Sequence, residues 1–181
     1  SNNSASWDGG GMFNNGSTSM LVNVTFSGNT AVYGGGGIYI AASHVYSPTL
    51  VNVTFSGNTA VAGGGIFHSY ASSRLVNVTF SGNTAVNGGG IYNLNSAPML
   101  TSCILWGDAA DEIFNENSSP VVTYSDIQGG YSGEGNLAAD PRLGILADNG
   151  GFILTRGLAF GSPAIDAGNP DPATCPATDA R

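Results

Sequence analysis

Carboxylate side chains are the first candidates for chemistry in this 181-residue chain, since paired Asp and Glu residues act as general acids and bases or bind calcium. No Asp or Glu occurs between Gly9 and Gly107, so that stretch holds no such pair. The later acids stand among Gly, Asn and Pro, which predicts turns and solvated loops. The alternative is a calcium site in the C-terminal loops, with Asp140 or Asp148 as a ligand.

Histidines and glycines are the next candidates for a binding site. His44 and His68 are the only two histidines, and zinc sites need at least three ligands, so we expect both in surface loops. The glycine run from Gly34 to Gly37 lacks the Lys and Ser or Thr of a phosphate-binding loop. We interpret it as a corner of the backbone. No cofactor is expected.

A repeat explains most of the chain. The phrase NVTFSGNTAV begins at Asn23, Asn52 and Asn77, and a glycine run followed by IY or IF comes after each copy. Units of 20 to 30 residues with short β-branched stretches and regular glycines are typical of a β-solenoid rather than a helical repeat. The sequence therefore predicts an all-β, right-handed parallel β-helix. About five coils would occupy residues 1–130, and a loop-rich extension, residues 131–181, would pack on them.

Period-two alternation predicts which side chains face the core. Taking Phe as inward places Val22 and Val24, and their equivalents in the next two units, inward as well, while Asn23 and Thr25 face outward. The outward asparagines stand in glycosylation sequons. Cys103 aligns with inward valines, which predicts a buried thiol. Like residues stack in register in such a fold, so we expect two internal columns: an apolar one of Phe26, Phe55, Phe80, Leu105 and Ile127, and an amide ladder of Asn29, Asn58 and Asn83.

An outward aromatic column is the best candidate for a binding face. Phe13, Tyr39, Phe67 and Tyr92 occupy matching positions after the glycine runs. Exposed aromatic side chains at one face can bind a carbohydrate or a protein partner. The alternative is a face covered by the variable loops.

Composition excludes several classes of partner. Only 9% of the residues are charged, there is no lysine, and the formal net charge is -8. Nucleic-acid binding needs a cationic surface, which this sequence cannot form, so we expect no nucleic-acid partner. No run of 18 apolar residues is present, so we expect no direct insertion into a membrane.

Two stretches resemble known families. NVTFSGNTA followed by GGGIY resembles the repeat of polymorphic outer-membrane proteins. The string from Ser102 to Gly168, including SCILWGD and GSPAIDAGNP, resembles secreted bacterial β-helix proteins of the choice-of-anchor Q type. The resemblance implies a pectin-lyase-like fold, export and cell-surface anchoring, and it does not imply catalysis. That family's tail continues to another cysteine, so we expect this chain to be an excerpt and Cys175 to pair outside it.

We therefore expect a non-catalytic, extracellular or cell-surface solenoid: a stalk, an adhesin passenger or a filament subunit. The alternatives are a polysaccharide-binding module, or a polysaccharide lyase or hydrolase whose active residues lie outside the regular coils. The run from Gly9 aligns with that from Gly88, so the chain begins inside a coil. An open coil edge predicts end-to-end self-association or continuation into further coils.

Overall fold

The computed structural model of the chain describes residues 1–41 and 48–171, and these fold into β-strands without a helix, so none of them forms a helix that spans a membrane. The strands are β1 (Ser4–Ala5), β2 (Met12–Asn15), β3 (Met20–Ser27), β4 (Thr30–Ala31), β5 (Ile38–Ala41), β6 (Thr49–Ser56), β7 (Ile66–Ser69), β8 (Arg74–Val76), β9 (Thr79–Ser81), β10 (Ile91–Leu94), β11 (Met99–Thr101), β12 (Ile104–Leu105), β13 (Ile113–Glu116), β14 (Val121–Thr123), β15 (Asp126–Ile127), β16 (Leu143–Ala147) and β17 (Thr155–Leu158).

Parallel pairing between successive turns builds a solenoid. A long sheet combines β3, β6, β8 with β9, β11 with β12, and β14 with β15, whereas a second sheet stacks β2, β5, β7, β10 and β13. The third side contains the short pair β1–β4 and isolated parallel bridges such as Thr59 to Thr84. The predicted all-β parallel solenoid of about five turns is confirmed.

The apolar column lies inside the solenoid as predicted. The rings of Phe26 and Phe55 stack with centroids 5.1 Å apart, and those of Phe55 and Phe80 stack at 4.7 Å. Leu105 pairs with Phe80 on one side and with Ile127 on the other, and both aliphatic residues are buried. The column therefore continues through the coils in which the repeat has degenerated.

The predicted alternation is wrong in the first half of each long strand. Asn23 has a φ of 54°, a left-handed conformation, and Asn52 and Asn77 share it. This residue breaks the alternation, so the core positions before it are the leucines, not the valines. Leu50 is fully buried in the core, whereas Val22 is 44% exposed and Val51 is half-buried. Val76 is buried, but like the other two valines it does not join the core cluster. Asn and Asp are the non-glycine residues that best tolerate this conformation.

Glycine runs form the corner between the third side and the second sheet. Gly35 has a φ of +65°, a backbone conformation that residues with a side chain rarely adopt. Gly37 is required for a different reason: a Cβ there would lie 2.6 Å from the carbonyl oxygen of Gly65 and 2.7 Å from the Phe55 ring. The glycines thus allow both the turn and the close approach of backbone to the phenylalanine column.

The C-terminal segment lies against the outer face of the long sheet. The Thr25 hydroxyl donates to the Leu154 carbonyl at 2.7 Å, and the backbone N–H of Asn169 donates to Ser102 Oγ at 3.0 Å. Strands β16 and β17 form an antiparallel hairpin in this segment. Backbone hydrogen bonding between successive turns also continues past residue 130, since the Leu137 N–H donates to the Ser125 carbonyl.

Candidate functional site: the side-chain columns

The internal asparagines form a continuous hydrogen-bonded ladder, as the sequence predicted. Asn29 Nδ2 donates to Asn58 Oδ1 at 2.9 Å, and Asn58 Nδ2 donates to Asn83 Oδ1 at the same distance. The backbone N–H groups of Asn29 and Asn58 donate to the same oxygens at 3.0 Å. All three asparagines are fully buried, so their amides cannot bond to water. Each amide instead bonds to the asparagine of the adjacent turn and so connects the two turns.

The ladder ends at an acid that the sequence analysis had assigned to a turn. Asp108 Oδ1 accepts from Asn83 Nδ2 at 2.8 Å, which makes Asp108 the next member of the column. Its Oδ2 is buried without a hydrogen-bond partner among the described residues, and so is Oε2 of Glu112, whose Oε1 accepts from the Asp108 N–H. Burial and the adjacent Glu112 raise the pKa of Asp108 well above its usual range. The signal was available, since Asp108 follows Asn83 by the repeat length of 25 residues.

Replacing Asp108 with asparagine should stabilise the protein by about 1–3 kcal/mol at pH 7.5. An asparagine at this position would complete the amide column and remove a buried charge beside Glu112. Because the folded-state pKa is raised, the contribution of Asp108 to stability is fully present below its ordinary pKa and is lost as pH rises through the raised one. Urea unfolding from pH 4 to 8 is the measurement. A D108N variant less stable than the wild type at pH 7.5 would contradict this.

His68 is a core residue, and the prediction of a surface loop was wrong. It lies in β7 with its side chain fully buried. Its Nε2 lies 2.6 Å from Ser73 Oγ and its Nδ1 lies 2.9 Å from Asn93 Oδ1. These distances resemble those of a hydrolase triad, but all three side chains are buried, so a substrate carbonyl could not reach the serine. Asn14 and Ser19 form the equivalent pair nearer the N-terminal end, which indicates a structural role.

Acidification should destabilise the fold through His68. Burial lowers its pKa from 6.5 to about 4, so the folded state binds this proton less readily than the unfolded chain does. Neutral His68 therefore contributes to the free energy of unfolding above pH 6.5, and about 3 kcal/mol of that contribution is lost as pH falls towards 4. His68→Asn should reduce the difference in unfolding free energy between pH 7 and pH 4 by that amount. An unchanged difference would contradict the burial of the ring.

The outward aromatic column is continuous across five turns. Phe13, Tyr39, Phe67 and Tyr92 stack ring on ring with centroids 4.7–5.2 Å apart, and Phe114, which the sequence analysis had not included, extends the column. The planes of the first four rings are within 9° of parallel, so each inner ring covers the faces of its neighbours. Phe13 is 52% exposed and Tyr92 only 9%, with its hydroxyl donating to Glu116 Oε2. The column is therefore most exposed at Phe13 and is covered at Tyr92.

A second asparagine column was not predicted. Asn77 Nδ2 donates to Asn52 Oδ1 at 2.8 Å, and Asn52 Nδ2 donates to Asn23 Oδ1 at 3.1 Å. These are the sequon asparagines, which the sequence analysis placed outward. They lie on the outer side, but Asn52 is only 4% exposed, so its amide is inaccessible to a glycosylating enzyme in the folded protein.

The remaining candidates have structural surroundings. Asp140 Oδ1 accepts from the Arg142 N–H and Asp148 Oδ1 accepts from the Gly150 N–H, which are turn-forming bonds. Within residues 1–41 and 48–171, no three His, Cys, Asp or Glu side chains are grouped as metal ligands. Cys103 is buried as predicted, and burial raises the pKa of its thiol to about 12. His44 and Cys175 lie outside the described residues.

Comparison with known proteins identifies the repeat. Residues 23–41, 52–69 and 77–94 match the Chlamydia polymorphic membrane protein (Chlamydia_PMP) repeat. Each matched segment begins at a left-handed asparagine and ends in a strand of the second sheet. The chain thus contains repeats of this type that form a β-solenoid. No curated protein and no solved structure showed significant similarity to the chain.

Proposed function

We propose that this chain is a non-catalytic, extracellular structural or adhesive solenoid, serving as a cell-surface stalk, adhesin passenger or filament subunit. The observation that carries the proposal is that the repeated side chains bond to their own copies in adjacent turns. The Asn29, Asn58 and Asn83 amides and the phenylalanine rings are used in this way. A residue type repeated for stacking builds a rigid rod, and the similarity to a membrane-protein repeat supports placing that rod at a cell surface.

Surface labelling tests the location. Antibodies against the purified chain should label intact cells of the source organism, and external protease should remove the label. An antibody against an abundant cytoplasmic protein, which should label only permeabilised cells, is the control. Label that appears only after permeabilisation would overturn the proposed location.

The proposal includes self-association or continuation at the N-terminal end of the solenoid. Strand β3 pairs with β6 on one side only, and its eight residues leave a long edge. Open edges of this length normally pair with another strand or carry protecting charges, and β3 has no charged residue. We therefore assign this edge to a further coil, either from the same polypeptide or from a second copy stacked end to end.

Two lysine variants of β3 test the stacking. Val24 packs against the core at the open end, so Val24→Lys places a charge where a second copy would dock. Val22 lies on the same strand but is 44% exposed, so Val22→Lys is the matched control. Light scattering of the 181-residue chain should show association for the wild type and V22K but a monomer for folded V24K. A monomeric wild type at high concentration would overturn stacking of copies.

The absence of turnover is part of the same proposal. Purified chain should not depolymerise pectate, polygalacturonate or similar polysaccharides. The physical support is that Asp108 and Glu112, which lie side by side after the last regular coil, are both buried. Depolymerisation that a single Asp substitution abolishes would favour the lyase or hydrolase alternative.

A further inference from the structure

A cavity of about 430 Å³ lies between the outer face of the long sheet and the C-terminal segment. Thr54 and Thr79 lie on the sheet side, and residues 155–158 and 164–166 form the opposite side. This volume is within the range of pockets that bind small molecules. The cavity is separate from the buried ladder of Asn29, Asn58 and Asn83 and from the aromatic column, which lies on the second sheet.

Arg156 lines this cavity and is half-buried. Its Nη1 donates to the Gly144 carbonyl and its Nη2 donates to Ser56 Oγ, both at 3.0 Å. Both acceptors are neutral oxygens. The Nε atom is buried and has no hydrogen-bond partner within the described part of the chain. Nε is shielded from the cavity, but Nη1 and Nη2 each carry a second N–H, so an oxygen of a molecule that enters the cavity can accept from the guanidinium.

The rest of the lining offers both polar and apolar contacts. Threonine hydroxyls donate and accept, the Asp166 carboxylate accepts, and Ile104 and Leu158 add apolar surface. A sugar ring has the matching chemistry, because it carries several hydroxyls on an apolar carbon frame. Arg156 and Asp166 balance in charge, and the net charge of -8 disfavours the approach of an anion.

We propose that this cavity binds one neutral hexose ring, with the Arg156 guanidinium donating to one of its oxygens and the threonine hydroxyls contacting others. This site is independent of the proposed structural role, since a solenoid can form a rod with or without it. Its failure would leave the surface-labelling and stacking tests unaffected.

Ligand-observed NMR tests the site with defined probes: methyl glycosides of glucose, galactose and mannose, the corresponding free hexoses, and glucuronate. We expect saturation transfer to at least one neutral probe, with a millimolar Kd. A methyl glycoside that binds better than its free hexose indicates a glycan-linked residue, and the reverse indicates a free sugar; both support the site. Tighter binding of glucuronate than of every neutral probe would overturn the assignment of a neutral ligand.

Three variants localise the binding. Arg156→Gln removes the guanidinium donors and should weaken binding at least tenfold, and Thr79→Val, which keeps the shape but removes a hydroxyl, should weaken it several-fold. Arg142→Gln is the matched control, because Arg142 is exposed and its guanidinium bonds to the Phe160 carbonyl outside the cavity lining. Amide NMR spectra confirm folding. No transfer to the wild type from any neutral probe, or equal binding by R156Q and R142Q, would overturn the proposal.

Discussion

Phe55→Ala should lower the free energy of unfolding by about 3–5 kcal/mol, since it removes a fully buried ring and leaves a cavity. Phe55 is the middle ring of its stack, between Phe26 at 5.1 Å and Phe80 at 4.7 Å. The space cannot close easily, because the backbone around Gly37 is held by hydrogen bonds to Gly64 and Gly65 in the next turn. Urea unfolding followed by circular dichroism measures the effect.

Phe13→Ala is the matched control for this substitution. Phe13 also stacks on an aromatic ring in the next turn, at 5.2 Å, but it is 52% exposed and lies at the end of the outer column. Its loss should cost about 1 kcal/mol, because half of its surface is already in contact with water. A cost below about 1 kcal/mol for Phe55→Ala would mean that Phe55 is not a core residue.

Asn58→Ala should cost about 3 kcal/mol or more, because it interrupts the buried amide ladder in the middle. Asn58 Oδ1 accepts from both the N–H and the Nδ2 of Asn29, at 3.0 and 2.9 Å, and alanine leaves these two buried donors unpaired. The Asn58 amide also donates to the Phe26 carbonyl at 3.0 Å. Each unsatisfied buried group costs about 1–3 kcal/mol, so the sum is large for one side chain.

Asn77→Gly distinguishes the buried ladder from the outer asparagine column. Asn77 is exposed and has a φ of 56°, a conformation that glycine adopts without strain. Its amide donates to Asn52 Oδ1, so the substitution removes one partly exposed bond and should cost about 1 kcal/mol. Equal costs for Asn58→Ala and Asn77→Gly would show that burial of the inner ladder does not stabilise the fold as described.

The fold was predictable because the repeat is nearly identical in three units. Identical residues repeat at spacings of 29 and 25 residues and stack in register. The amino-acid sequence alone therefore predicts the phenylalanine column and the ladder of Asn29, Asn58 and Asn83. Alternation failed only at Asn23 and its equivalents. Apolar and polar residues alternate on both sides of this asparagine. A period-two pattern therefore cannot show that the left-handed backbone changes which of the alternating positions face the core. The preference of asparagine for left-handed φ was the available signal.

Residues outside the repeated phrase NVTFSGNTAV were harder to predict. His68 reads as the start of a loop because the IF motif before it is short, yet its strand continues to Ser69. Asn93, the partner of His68 in the next turn, indicates that polar side chains are accommodated at that inward position. The cavity at Arg156 depends on how a distant segment packs on the sheet. Arg156 and Ser56 are 100 residues apart, and no periodicity connects them.

Side-chain amide contacts between turns test the central claim, that the repeat is a structural unit bonded to its own copies. A ¹⁵N-resolved NOESY spectrum of the labelled chain should show cross-peaks from the Asn58 side-chain amide protons to those of Asn29 and Asn83, because Asn58 Nδ2 lies 2.9 Å from Asn83 Oδ1 and Asn29 Nδ2 lies 2.9 Å from Asn58 Oδ1. These protons should also exchange slowly with water. Asparagine amides with rapid exchange and no cross-peaks between turns would contradict the ladder and, with it, the stacked solenoid.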